Sequence, residues 1–351
     1  MLDIFSDAST LALFGLLGGV ILGLAARLGR FCTLGAIEDV LYQGNSIRLR
    51  MWLLAIGIAG LGSFGLAGSG LLQLDQSIYH QVAWAPLAGA AGGLAFGYGM
   101  ALAGNCGFGA LARFGGGDLR SFVIVLVMGI SAYFILSGPL AQLRLMLIAS
   151  AEIKTDFRSY PELLSSVTGA SIVPLGLTIS AMITLAAAWS APFLRNPRAL
   201  LTGVAVGFAI VSGWAGTQWV ASHGFSETPI NSHTFTSPLG ETLLFLMTSS
   251  GGGLTFGVGS VFGVLLGAFA GSLIKGQFRW EACEDPRELK RQVIGAVLMG
   301  FGAVLAMGCT IGQGISAFSL LTLNAPIVFA SIFIGAAIGL RQLITGFSIA
   351  G

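Results

Sequence analysis

The chain has 351 residues, of which 55% are hydrophobic and 9% charged, with a net charge of +2 and a mean hydropathy of +0.87. A soluble domain carries about 25% charged residues, so a water-facing globule is excluded, and the near-neutral balance gives no case for nucleic acid. The expected fold class is an all-α polytopic membrane protein.

The N-terminus, MLDIFSDAST, is acidic, whereas a cleavable signal peptide opens on basic residues, so none is expected. Apolar stretches then follow near residues 11–28, 51–72, 84–103, 122–137, 172–189, 200–221, 243–274, 293–308 and 327–340. Judged against the roughly 20 residues that cross a bilayer core, they predict about nine spans. The stretches 84–112 and 243–274 are too long for one straight helix; breaks are expected at GNCG (104–107) and SSGGG (249–253). The 53 glycines far exceed the usual share of about 7%. In membrane helices glycine permits close helix contact and marks backbone breaks.

Basic residues orient the chain. Arg27, Arg30, Arg48 and Arg50 follow the first span, Arg113 and Arg120 the third, Arg195 and Arg198 the fifth, and Lys275, Arg279, Arg287, Lys290 and Arg291 the seventh. By the positive-inside rule these exits are cytoplasmic, with the N-terminus outside and the C-terminus inside. Arg144, Lys154 and Arg158, in the stretch 142–161, run against that pattern.

Three cysteines share one setting: Cys32 in GRFCTLGA, Cys106 in AGNCGFGA and Cys309 in AMGCTIGQG. Each reads C-x-x-G, ending at Gly35, Gly109 and Gly312. Nine residues before the thiols stand Gly23, Gly97 and Gly300; thirteen before stand Gly19, Gly93 and Ala296. Gly203 and Gly207 repeat the frame once more, with Gly216 where the thiol would be. Four copies predict an internal duplication within one integral membrane domain, with halves 1–165 and 166–351 and broken helices around a central site. Glycines at this spacing are ordinarily helix-packing positions. The shared offset to a cysteine is what packing leaves unexplained.

A buried cysteine is ordinarily a small hydrophobe, and Cys283, in WEACEDPREL, lacks the frame and is expected to be incidental. No C-x-x-C spacing supports a zinc or redox site, and the apolar settings argue against a secreted-type disulfide framework. No metal or cofactor is expected. His80, His223 and His233 all fall in expected loops, and only Arg30 and Arg113 stand near a motif cysteine in sequence. A thiol in apolar surroundings stays protonated. It is then a weak donor and a weak acceptor, which suits passage of a soft, sulfur-bearing anion, since conduction needs sites that release as well as bind.

The segments GRFCTLGAIED (29–39), GYGMALAGNCGFGALARFGGGDL (97–119) and GAVLMGFGAVLAMGCTIGQG (295–314) resemble the YeeE/YedE family, whose characterised members take up thiosulfate. The resemblance implies an hourglass-like set of pseudo-repeated helices, with short half-helices meeting at a pore in the bacterial inner membrane. It also implies that Cys32, Cys106 and Cys309 pass thiosulfate along by S–H···S contacts, and that a small TusA-like sulfur carrier waits on the cytoplasmic side. Asn105 before Cys106 and Met307 before Cys309 depart from the Gly-Gly-Cys common among relatives. Asn105 adds an amide donor for an oxyanion; Met307 narrows the path or adds a soft contact.

The expected path residues are therefore Cys32, Cys106 and Cys309, with Asn105, Gly35, Gly109, Gly312, Gln313, Arg30 and Arg113. Three other readings remain beside the permease. One is a membrane sulfurtransferase holding a persulfide, favoured by Arg30 beside Cys32 and opposed by the lack of a nearby base. The others are a carrier of a selenium compound and a soft-metal transporter, since thiols bind Cu(I).

Overall fold

The computed structural model describes residues 6–225, 228–249, 253–282 and 285–346. In chain order the helices are α1 (Asp7–Gly29), α2 (Thr33–Tyr42), α3 (Ile47–Gly68), α4 (Ile78–Gln81), α5 (Pro86–Ala103), α6 (Gly107–Phe114), α7 (Leu119–Leu136) and α8 (Ala141–Ala151). They continue as α9 (Tyr160–Thr168), α10 (Ile172–Ala188), α11 (Ala191–Leu194), α12 (Pro197–His223), α13 (Ser237–Met247), α14 (Phe256–Ile274), α15 (Pro286–Leu305) and α16 (Asn324–Thr345). Among the described residues there is no β-sheet. The protein is an all-α polytopic membrane protein.

Among the described residues seven segments are long and apolar enough to cross a bilayer: α1 with α2, α3, α5 with α6, α7, α12, α14 and α16. Two expected spans take another form. The stretch 172–189 is α10, whose 17 residues reach only about 26 Å at 1.5 Å per residue. The stretch 293–308 is the apolar end of α15, whose first turns carry Arg287, Glu288, Lys290 and Arg291.

Both expected breaks occur. Helix α5 stops at Ala103 and α6 starts at Gly107; α13 stops at Met247 and α14 starts at Phe256. Residues 250–252 of the second break lie outside the described residues. Helix starts follow ordinary capping chemistry. Asp118 accepts from the amides of Arg120 and Ser121 at α7, Asn196 caps α12 and Thr255 caps α14.

In lipid, apolar burial does not drive helices together, so close packing must. Helix α1 packs along α14, and α5 lies between α15 and α16. A Cβ on Gly19 or Gly23 would fall on the Ser260 and Val264 carbonyls of α14; one on Gly97 would fall on the Ile332 carbonyl of α16. The frame glycines are therefore contact positions. They set the depth and rotation of the helices that deliver the cysteines.

The fourth copy of the frame is corrected by the structure. Helix α12 runs unbroken through Gly216 to His223, because Gly216 is a contact with the Phe14 ring. The chain opens later, in an extended strap over residues 228–236 that leads into α13 with Thr236 at its N-cap. Ile230, Ser232, His233, Phe235 and Thr236 of this strap are buried.

Irregular backbone at membrane depth must find partners inside the protein. Thr217 Oγ1 donates to the Asn231 carbonyl at 2.7 Å, Ser232 Oγ to the Ile210 carbonyl at 2.7 Å and Ser316 Oγ to the His233 carbonyl at 2.7 Å.

Candidate functional site

The C-x-x-G segments are helix junctions with a common backbone. Two residues before each cysteine the chain turns left-handed: Arg30 at φ 56°, Gly104 at φ 75° and Met307 at φ 55°. Left-handed backbone costs a non-glycine residue about 1–2 kcal/mol, so at Arg30 and Met307 the surroundings hold a strained turn. Cys32 and Cys106 then adopt extended backbone and become the N-caps of the half-helices α2 and α6. Cys309 leads into a π-helical segment, Gly312–Ala317, a form that recurs at functional sites. Helices α1 and α5 run toward one end of the molecule and α15 runs back from it. Cys32 and Cys106 thus arrive from one side and Cys309 from the other.

Two of the sulfurs take the role an N-cap oxygen usually has. The Gly109 amide donates to Cys106 Sγ at 3.3 Å, and the Gly312 amide to Cys309 Sγ at 3.5 Å. Cys32 makes no such side-chain cap bond. Cys309 Sγ also accepts from the Phe235 amide at 3.3 Å and lies 3.8 Å from Thr234 Oγ1. Each of these two sulfurs therefore accepts from a backbone amide, and its own S–H is left as a further, weak donor. The half-helix N-termini add partial positive charge.

The three motif glycines do different work. A Cβ on Gly35 would strike the Arg48 guanidinium, so this glycine admits an arginine to the first turn of α2. A Cβ on Gly312 would sit 2.5 Å from Thr234 Oγ1 and 3.1 Å from the Tyr79 hydroxyl. Gly109 has only ordinary contacts, with Asn105 and Cys106.

Cys106 and Cys309 are fully buried, whereas Cys32 is half-buried; all three are free thiols. Cys106 lies within electrostatic range of both Cys32 and Cys309. A cavity of about 330 Å³ brings together Cys32, Gly35, Arg30, Asn105, Gly109 and Arg113. Arg27, Arg48 and Lys275 also line it, against the single carboxylate of Glu38. The sequence pointed to Arg30 and Arg113 by proximity to a cysteine. It missed the other three cations, which come from separate helix ends. Arg48 pairs with Asp39 at 3.2 Å, and Lys275 Nζ donates to the Arg27 carbonyl. Partial burial, then the neighbouring Arg198, Arg30 and Arg27, push the Lys275 ammonium below its ordinary range.

Gln313 and Gly312 are not at this cavity. Gln313 and Met307 line a smaller one of about 30 Å³ on the other side, with Tyr79, Trp84, Arg158 and Asn324. Gln313 Nε2 donates to the Met307 carbonyl at 3.0 Å, while its Oε1 has no hydrogen-bond partner. His233 is in the strap, as a loop residue, but fully buried, with Nδ1 2.6 Å from Ser260 Oγ. Cys283 lies outside the described residues. Among the described residues no three His, Cys, Asp or Glu side chains converge as a metal site. The arrangement offers an anion a cationic cavity, the N-termini of half-helices and three free thiols.

Residues 28–338 match the family model described as sulphur transport. The chain is 27% identical over 336 residues to the thiosulfate transporter TsuA of Escherichia coli (strain K12), covering 89% of each chain. It is 26% identical over 327 residues to the thiosulfate transporter TsuA of Spirochaeta thermophila, covering 91% of this chain and 94% of that one.

Proposed function

The chain belongs to the sulphur-transport family, and on that premise we propose that it is a permease importing thiosulfate past Cys309, Cys106 and Cys32 in turn. Transport of a sulfur-bearing anion is the role its relatives' names support; the thiol path and its order are our reading. One observation carries it: the fold gathers the three motifs, Cys32 sharing a cavity with Asn105 and Gly109 on either side of Cys106, and Phe235 joining Cys309 to Phe108 just beyond Cys106. Cys32 opens on the large cationic cavity, while Met307 and Gln313, neighbours of Cys309, open on the small one.

Arg158 and the polar groups of the small cavity attract the dianion, and each S–H then donates to its terminal sulfur. A neutral donor binds weakly enough to release, which stepwise passage requires. The arginine-bearing end is the cytoplasmic one by the positive-inside rule, in a bacterial inner membrane, where a small TusA-like sulfur carrier would receive the cargo.

The test is initial-rate thiosulfate uptake in a host lacking its own importers, supplied with thiosulfate as sole sulfur source. Alanine at Cys32, Cys106 or Cys309 should abolish uptake, because the donor is gone. Serine at one or more of these positions should retain a fraction, because a hydroxyl still donates. Equal inactivity of all six variants at matched protein level overturns the hydrogen-bonding path.

A second reading is favoured by one observation: Cys32, the half-buried thiol, faces five cations. There a thiolate could attack the terminal sulfur of thiosulfate, forming an S–S bond and releasing sulfite with the electron pair of the broken bond. A stable mass increment of one sulfur on Cys32 after incubation with thiosulfate would support this sulfurtransferase.

A further inference from the structure

The cationic cavity at Cys32 has a neighbour. A second cavity, of about 550 Å³, shares Arg27, Arg113 and Gln277 with it as common wall. We propose that this outer cavity is a second oxyanion site, where Arg27 and Arg113 hold a tetrahedral dianion on its way from Cys32 to the cytoplasm. The exit role rests on the transport reading above; the charge and geometry of the site stand apart from it.

The two arginines come from the last turns of α1 and α6. An arginine at a helix C-terminus ordinarily complements the helix dipole. Arg27 is placed more closely than that role needs. Its Nη2 donates to Ser272 Oγ of α14 at 3.3 Å, and a Cβ on Gly116, just after α6, would strike its guanidinium. Gly116 thus leaves the room in which Arg27 lies against the turn that follows Arg113. The segment 276–281 walls the outer cavity and is fastened across it. The Leu119 amide donates to the Glu281 carbonyl and the Glu281 amide to the Gly117 carbonyl, both at 3.0 Å. The cavity is therefore enclosed by paired backbone and is not an open basic surface.

Charge decides what fits there. Arg27, Arg113, Arg120 and Arg279 face the outer cavity, against Asp118 and Glu281. Both carboxylates are taken. Arg120 lies 3.4 Å from Asp118 and 3.6 Å from Glu281, and Glu288 of α15 reaches it at 3.7 Å. Arg279 lies 2.5 Å from Glu281. Among the described residues no ion pair reaches Arg27 or Arg113. Two guanidiniums on one wall, without a carboxylate between them, repel each other. The charge they leave over is that of one dianion. A guanidinium also presents its N–H groups as a fork that matches the oxygens of such an ion. A tetrahedral sulfur oxyanion meets both demands.

The experiment is a calorimetric titration of the full-length protein with sulfate in detergent at low ionic strength. Sulfate is the probe because it is a tetrahedral dianion without the soft sulfur that the thiols address. The wild type should bind it. Arg27→Gln and Arg113→Gln should each weaken binding roughly ten-fold or more, and Arg27→Lys, which keeps the charge but not the fork, by less. Gly116→Ala keeps every charge and displaces the Arg27 guanidinium, so it should weaken sulfate as well; should it fail to accumulate, Arg27→Lys is read in its place. Arg30 lines only the inner cavity, and Arg30→Gln should have a smaller effect than Arg27→Gln. No sulfate binding by the wild type overturns the site, and so does an Arg30→Gln variant more impaired than Arg27→Gln. A lipid phosphate shares this chemistry, so sulfate should still bind in bilayer discs containing phosphatidylglycerol. Its exclusion there, beside binding in phosphatidylcholine discs, would give the cavity to a headgroup and overturn the exit role. Sulfate binding without thiosulfate uptake by the wild type overturns the transport reading and the exit role with it; normal uptake without sulfate binding overturns this inference alone.

Discussion

The Phe235 amide donates to the Cys309 sulfur at 3.3 Å across 74 positions of sequence. One residue of the strap thereby fixes the thiol that α15 delivers. The same residue stacks its ring 5.2 Å from Phe108, at a tilt of 39°, just beyond Cys106. The strap is the physical link between two motifs that no local pattern connects.

The motif glycines should separate by what their missing Cβ leaves room for. Gly35→Ala displaces only the flexible end of Arg48 and its ion pair with Asp39. The pair is partly buried, its side chains 27% and 12% exposed, but the guanidinium tip is flexible and can shift, so stability should fall less than at a packed site while uptake falls. Gly312→Ala meets Thr234 and Tyr79 in a packed interior, where overpacking costs about 1–3 kcal/mol. Thermal midpoints in detergent should therefore order as wild type, then Gly35→Ala, then Gly312→Ala.

Met307 holds a left-handed turn without being glycine. A β-branched residue tolerates that conformation worst, so Met307→Val should lower stability by about 1–2 kcal/mol. Met307→Gly relieves the strain but loosens the unfolded chain, and its stability should stay near wild type. Because Met307 also lines the small cavity, the glycine variant should bind thiosulfate with altered KM. Paired denaturation and uptake measurements check both statements.

The cationic cavity should act through charge. Arg30→Gln and Arg113→Gln each remove one of its five cations. Uptake should weaken several-fold at low ionic strength, with less difference from wild type at high salt, where exposed charges are screened. Unchanged transport in Arg30→Gln at equal protein level would make it an ordinary orientation anchor.

His80 gives a pH dependence of stability. It is buried, with Nδ1 2.7 Å from Ser77 Oγ and Nε2 3.8 Å from Glu162. Burial pushes its pKa below the ordinary 6.5, and Glu162 and Asp75 only partly oppose this. The unfolded chain then binds the proton more readily than the folded one. Stability is fully present above about pH 6.5 and is lost as pH falls through that value. The thermal midpoint should drop between about pH 7 and pH 5, and His80→Gln should flatten the drop. The loop carrying His80 also carries Tyr79, so acid should loosen the small cavity first.

The membrane class, the helix breaks and the common C-x-x-G setting of the three cysteines were legible in the sequence, because each rests on a local property. Apolar run length, a glycine in the middle of a run and a repeated offset need no knowledge of the rest of the chain. The frame failed at Gly216, where the same small-residue spacing serves contact with Phe14 instead of a break. Spacing records that a helix needs a close neighbour but not which neighbour it meets. The left-handed turns at Arg30 and Met307 were hidden because neither residue favours that conformation; packing imposes it. The strap's hold on Cys309 and the cations Arg27, Arg48 and Lys275 at one cavity come from elements remote in sequence. Only tertiary structure could decide them, because a lipid-facing chain must satisfy its irregular backbone and its charges with whatever groups the fold brings within reach.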